Sequence, residues 1–307
     1  MMPVLLTMAG VIALGSVWRW KLGETTANHI RKALTQSVYT LFLPALVLHM
    51  LWQSPVNINT LRIPALAGLC VMLALLSAWV MYRFLFPRLP APSALGALLL
   101  ASAFGNFTYL GLPVLTQVFG ESSAIIAIQF DLLASTPLLF TVGILLATHY
   151  GEGKQGMAEA MHQMLRVPAL WAASLGLLLS GFSIALPEAL LGFLSLLGSA
   201  VIPLMLLAVG MALGWKNAWL TRMPVLIPVL LAQLLIMPAI AWGLCLWWQI
   251  PQELLPQIVI EAAMPSMVLG LVVCDRFKLD TSLYAEAITV STFFSLFSLP
   301  LWWYCLG

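Results

Sequence analysis

The chain has 307 residues, of which 62% are hydrophobic and only 8% charged, with a formal net charge of +2. A soluble domain carries about 25% charged residues, so this little charge could not cover the surface of a soluble protein, and lipid is the solvent to expect. The thirteen Lys and Arg form no basic stripe for nucleic acid; the four cysteines, Cys70, Cys245, Cys274 and Cys305, have neither CxxC nor metal-ligand spacing, so no metal, cofactor or disulfide is expected.

Apolar runs of about 17 to 25 residues are long enough to cross a bilayer as helices. In chain order they predict spans at 3–18, 37–52, 63–86, 93–118, 123–148, 168–186, 189–214, 224–248, 255–273 and 282–305. The first lacks the basic start and small-residue cleavage site of a signal peptide, so it is expected to stay as a span. The sixth and seventh are separated only by Leu186-Pro187-Glu188, where proline can open the following helix. Tryptophans near span ends, among them Trp18, Trp20, Trp52, Trp247, Trp248, Trp302 and Trp303, fit aromatic belts.

Cytoplasmic loops hold the excess of Lys and Arg. With the N-terminus outside, the odd-numbered loops place Arg19, Lys21, Arg31, Lys32, Arg83, Arg88, Lys154, Arg166, Lys216, Arg222, Arg276 and Lys278 inside. Twelve of thirteen basic residues then lie on one side, Arg62 being the exception, and both termini are expected on the periplasmic side of a bacterial inner membrane. The segment NINTLRIPAL at 57–66 matches NAWLTRMPVL at 217–226, with Asn57/Asn217, Arg62/Arg222, Pro64/Pro224 and Leu66/Leu226 at an offset of 160. Interior prolines pair similarly: Pro44 with Pro203, Pro113 with Pro265, Pro137 with Pro300. Five helices are an odd number, so the second half enters the membrane inverted. The domains expected are a first five-helix repeat at 1–150, a short cytoplasmic linker at 151–167 and a second, inverted repeat at 168–307.

Matched interruptions in inverted repeats point to a transporter's binding site. The fourth span contains GNFTYLGLP, Gly105 to Pro113, and the ninth EAAMPS, Glu261 to Ser266. Proline deletes a backbone donor and disturbs the preceding turn, leaving carbonyls that lipid cannot satisfy. Half-helices meeting there bring together positive N-terminal ends and free amides, a cradle for an anion. Asn106, Thr108 and Ser266 add neutral hydrogen-bonding groups, which favours a small carboxylate. No HExxH, GxSxG or Walker-type loop is present, so an enzyme is not expected; a membrane-embedded enzyme and a channel stand as rival readings.

GNFTYLGLP, AAMPS, VIPLMLLAVGMAL at 201–213 and DRFKLDTSLYAEAITVSTFFSLFSLP at the end resemble the auxin efflux carrier family, in their order and spacing over essentially the whole chain. The resemblance implies an all-α polytopic fold of ten transmembrane helices in two inverted five-helix repeats. Spans 1, 2, 6 and 7 form a scaffold; spans 3–5 and 8–10 form a transport part in which broken helices 4 and 9 cross. It implies a secondary carrier of an organic anion that works by an elevator-like movement. Asn106 then matches the asparagine that meets a substrate carboxylate, Pro113 the proline closing that motif and Pro265 the proline of the ninth-helix break. The long cytoplasmic loop of the plant exporters is absent, which turns the expectation from auxin toward malate, malonate and related acids.

The substrate-binding candidates are thus Gly105, Asn106, Thr108, Gly111, Pro113, Met264, Pro265 and Ser266. Asp131, eight residues into the fifth span, costs on the order of 2.5–3.5 kcal/mol to place mid-membrane. It is a candidate for proton exchange or for supporting the site; the plainer reading has it at a wet edge or bonded to Gln129, Ser135 or Thr136. Glu261, one turn before the ninth-helix break, is a comparable candidate, and Glu286 is expected at a solvated interface. His49 reads as a packed or interfacial histidine, and the coupling ion is expected to be H+ or Na+, the latter as a sodium-coupled symporter of related architecture. The partners expected are the organic anion, the bilayer and, as an assembly, a second copy in a homodimer.

Overall fold

The computed structural model describes residues 2–85, 91–152, 157–213 and 219–307. Arg88, Lys154, Lys216 and Asn217, used above for topology and repeat, lie outside the described residues. The described chain is all helical: α1 (Met2–Leu22), α2 (Glu24–Gln53), α3 (Asn59–Leu85), α4 (Pro92–Ala103), α5 (Phe107–Phe119), α6 (Glu121–Tyr150), α7 (Met157–Met164), α8 (Pro168–Gly181), α9 (Glu188–Ala212), α10 (219–247), α11 (Leu255–Ala262), α12 (Gly270–Arg276) and α13 (Thr281–Leu306). Six helices within this set, α2, α3, α6, α9, α10 and α13, are long and apolar enough to cross a membrane; α4, α5 and α8 are shorter apolar helices.

Helix ends follow local chemistry. Pro92 and Pro168 open α4 and α8, where a missing amide costs nothing. The Asp280 carboxylate caps α13 by accepting from Leu283 N at 2.9 Å. Pro187 stands at the cap position before Glu188 rather than inside the helix. The polar first loop is itself helical over Glu24–Ser37 and runs straight into the second apolar run. Its amphipathic pattern lets it lie against other helices while exposing its charged side.

In four places a wide, π-helical turn stands just before a proline: Val38–Phe42 before Pro44, Phe107–Gly111 before Pro113, Asp131–Ser135 before Pro137 and Ala232–Ile236 before Pro238. Proline offers no amide to the carbonyl four residues back and its ring crowds that carbonyl. Opening the turn by one residue relieves the clash, and such turns gather at functional sites. The carbonyl four residues before Pro238, that of Leu234, accepts instead from Trp302 Nε1 at 2.8 Å. Trp302 is therefore a buried partner, 8% exposed, and not a belt anchor. A fifth wide turn, Leu139–Gly143, follows in α6.

The helices pack as two groups. In one, α1 crosses α9, and α2 packs along α8 and α9. Backbones touch closely where α1 meets α9: a methyl on Gly210 would strike the Ile12 carbonyl, and one on Gly15 the Leu207 carbonyl. Small residues permit such approach between membrane helices, and Ser16 Oγ donates to Gly210 O across the contact at 2.9 Å. Trp52 Nε1 of α2 donates to Ile184 O at 2.6 Å. In the other group, α3 and α10 pack on each other and on α4, α13 lies along α4 and α10, and α11 contacts α3, α6, α10 and α13. The groups meet where α5 touches α1 and α9, and where α6 touches α2 and α8. Beyond α6, Glu152 N donates to Phe277 O at 3.0 Å and Lys278 pairs with Glu152 at 3.2 Å, while Arg276 pairs with Glu159 of α7 at 2.8 Å.

Candidate functional site

The fourth predicted span is broken at Phe104-Gly105-Asn106 and the ninth between Ala263 and Leu269. The two breaks lie against each other as extended chain, with Gly105 and Ser266 forming an isolated antiparallel bridge. Asn106 N donates to Pro265 O at 2.7 Å and Met267 N to Phe104 O at 3.0 Å. Each break thus supplies the hydrogen bonds that the other lost, which is how irregular backbone survives where water is scarce. Ser266 is fully buried; its Oγ donates to Ala101 O at 2.8 Å and its N to Ser291 Oγ at 3.2 Å. Gln233 fits between the segments with its amide donating to Ser102 O at 2.7 Å and accepting from Gly105 N at 3.0 Å. Tyr284 Oη closes the second break by donating to Met267 O at 3.0 Å.

Beside this crossing lies a cavity of about 50 Å³. One wall is the first break and the turn after it: Gly105, Asn106, Phe107, Thr108 and Tyr109. Asp131, Leu132, Thr136 and Phe140 of α6 form a second, and Met267 and Leu269 a third. The remaining wall belongs to the other packing group: Tyr39 and Leu43 of α2, with Val167 and Ala169 at the start of α8. The wide turns of α2, α5 and α6 therefore all contribute lining. Asp131 accepts hydrogen bonds from the hydroxyls of Thr108 and Thr136, the latter at 3.0 Å. Asn106 is 4% exposed, and its Nδ2 has no hydrogen-bond partner among the described residues. Buried polar atoms are nearly all hydrogen-bonded, so an amide donor left free beside a cavity stands out.

Of the residues singled out from the sequence, Gly105, Asn106, Thr108 and Asp131 line the cavity together. Pro265 and Ser266 serve through the backbone bridge, and Met264 is buried behind it. Pro113 sits at the start of the regular part of α5, past its wide turn. Gly111 faces Glu261: a methyl there would overlap both carboxylate oxygens and come within 2.7 Å of Cδ. Glu261 is fully buried, and neither carboxylate oxygen has a hydrogen-bond partner among the described residues.

Some expectations are corrected. Glu286 is not at a solvated interface; it is 4% exposed and pairs with Arg222 at 3.3 Å, because the start of α10 covers that turn of α13. Asp131 bonds Thr136, as its plainer reading allowed, while neither Ser135 Oγ nor Gln129 Oε1 has a partner among the described residues. His49 is half-buried, as a packed or interfacial histidine would be, and its Nδ1 has no partner among the described residues. Gln233, Ser291 and the α2 and α8 wall were not foreseen. Gln233 carried a usable signal, being the one strongly polar side chain in the apolar run 225–241, and polar residues in membrane helices are rare enough to mark function or packing.

Comparison with known proteins assigns the chain to a family. A family model described as "Membrane transport protein" matches residues 1–303. An "Uncharacterized transporter" of Methanothermobacter thermautotrophicus is 30% identical over 289 residues, covering 92% of this chain and 89% of its own length. The "Uncharacterized transporter MJ1031" of Methanocaldococcus jannaschii is 30% identical over 252 residues, covering 80% of this chain and 79% of its own. With apolar helices of spanning length and a family match from end to end, the chain is an integral membrane protein that belongs to the membrane transport protein family, the auxin efflux carriers that its broken-helix motifs resemble.

Proposed function

We propose that the protein is a secondary carrier that moves a small organic carboxylate across the bacterial inner membrane by an elevator-like exchange of the site between the two faces. The observation that carries this reading is the position of the cavity between the two packing groups, with the free Nδ2 of Asn106 beside it. In this reading the helices make ten spans in two inverted repeats, 1–150 and 168–307, joined by the linker 151–167, with both termini outside. Spans 4 and 9 are the half-helix pairs α4/α5 and α11/α12. The group of α1, α2, α8 and α9 is the scaffold, and the group holding both breaks is the part that moves.

The size of the cavity supports movement. About 50 Å³ accommodates a few waters, so a carboxylic acid enters only when the α2 and α8 wall parts from the breaks. Asn106 is suited to the first contact because its main chain is already anchored on Pro265, which leaves the side chain free to serve the ligand. The positive end of α5, which starts at Phe107, faces the same place. Thermal stabilisation of the purified protein by a panel of mono- and dicarboxylates, repeated with Asn106→Ala, tests the site. A carboxylate that stabilises the native protein and not the variant supports it, and equal stabilisation of both refutes it. Saturable counterflow in proteoliposomes separates a carrier from a channel, for which ohmic flux is expected.

A sodium-coupled carrier is the second reading, favoured by Glu261, a buried carboxylate beside a helix break with no donor of its own. Carbonyls of unwound helix and carboxylates hold Na+ in other transporters. Sodium-dependent stabilisation that disappears in Glu261→Gln is the result expected of it.

A further inference from the structure

Building on the carrier reading, we infer that the cargo is a monocarboxylate and that one proton, held on Asp131, binds with it. Among the described residues no Lys, Arg or His lines the cavity, and Asp131 is the single carboxylate in its lining. A substrate carboxylate seated on Asn106 would stand in the same small space as Asp131. Two like charges so close in a dry site do not both stay ionised, and one proton shared between them is the usual resolution. The balance is simple: an ionised Asp131, one proton and one carboxylate anion give a neutral Asp131 beside the bound anion.

The partners of Asp131 are suited to both forms. Thr108 and Thr136 donate to the carboxylate, and a hydroxyl can equally turn and accept from a carboxylic acid. When protonated, Asp131 becomes a second donor, alongside the Asn106 amide, for the substrate's oxygens. The groups facing it offer no competing cation. Tyr39 and Tyr109 are the other ionisable residues of the lining, and Glu261 lies within electrostatic reach of Asp131. On α8, packed against the Asp131 turn, Pro168–Gly181 contains no ionisable side chain. On α3, Arg62 and Arg83 stand at opposite ends, the Tyr82 hydroxyl is spent on Val225 O, and Cys70 is buried. Arg31 of α2 comes within electrostatic reach of Tyr109 but does not line the cavity. Beyond Asn106, Asp131 and the hydroxyls of Tyr39, Thr108, Tyr109 and Thr136, the lining is largely apolar and holds no cation for a second substrate carboxylate, which argues against the dicarboxylates suggested by the family resemblance.

The test uses the full-length protein in detergent with choline as the only bulk cation. Acetate, butyrate, benzoate, malonate and malate are titrated by thermal shift between pH 5 and 8. One linked proton requires monocarboxylate affinity to weaken by up to about tenfold per pH unit as pH rises, and Asp131→Asn should bind with a flat profile. Proton release or uptake by the native protein, read with an indicator in weak buffer, should show uptake of up to one proton per monocarboxylate bound. This second measurement stands even if Asp131→Asn does not fold. Preference for malonate or malate, a flat native profile without proton uptake, a slope that persists in Asp131→Asn, or a strict need for Na+ would each overturn the inference. A flat profile with clear carboxylate binding leaves the carrier reading intact, whereas no carboxylate binding at any pH overturns both.

Discussion

Replacing Gly111 with Ala puts a methyl group where the Glu261 carboxylate lies. The new carbon would sit 2.7 Å from Cδ and nearer still to both oxygens. A carboxylate on solvent-exposed helix would swing away at little cost, but Glu261 is 0% exposed. The residue must instead move against close-packed neighbours, and overpacking of this kind costs about 1–3 kcal/mol. The magnitude can be isolated by a double-mutant cycle with Glu261→Ala, which removes the obstacle and leaves the new methyl space. Reversible unfolding in mixed micelles, followed by tryptophan fluorescence, should show Gly111→Ala destabilising in the native background and close to neutral beside Glu261→Ala. The coupling should then be about 1–3 kcal/mol, well above the ~0.5 kcal/mol scatter of independent sites. Additive effects would mean that Gly111 and Glu261 do not touch, contrary to the packing of α5 on α11.

The same assay reads the supports of the crossing. Ser291→Ala strands the buried Ser266 amide and should cost about 1–3 kcal/mol, with Ser291→Thr recovering most of it. Gln233→Leu removes partners from both Ser102 O and Gly105 N, so its loss should exceed that of Ser291→Ala; Gln233→Glu, which keeps the acceptor, should fall between Gln233→Leu and the native protein. Trp302→Phe leaves Leu234 O without its donor, a deficit of about 1–3 kcal/mol, and should be worse than Trp303→Phe. Maleimide labelling in detergent should modify Cys305 first, because Cys70, Cys245 and Cys274 are buried, and the last three should react only on unfolding.

The positions of the breaks were readable because glycine, proline and polar residues stand out in an apolar run. Gly105, Asn106 and Pro265 were found that way, and they do meet. The pairing of Pro113 with Pro265 was a different matter. A proline announces a disturbed turn but not whether it lies at a break or starts the half-helix after it, and Pro113 does the latter. The bridge sets Gly105 against Ser266. Tyr39, Leu43, Val167 and Ala169 were illegible for another reason. They are ordinary residues on helices of the opposite packing group, and only tertiary contact makes them a wall. Glu286 was misplaced because distance along a helix says nothing about which neighbour covers it, and Arg222 is 64 residues away in sequence.

The prolines that follow the wide turns do not line the cavity themselves. A wide turn accommodates one more residue than a regular one, so it rotates every side chain beyond it by about 100° relative to an uninterrupted helix. Pro44, Pro113 and Pro137 thereby set the angular register of the segments around the cavity, much as the notches on a set of dials decide which numerals face the window. Losing or gaining one such proline would present a different set of side chains to the cargo while leaving every contact residue unchanged in sequence. Relatives that keep Asn106 and Asp131 but differ at these prolines are accordingly expected to differ in what they carry.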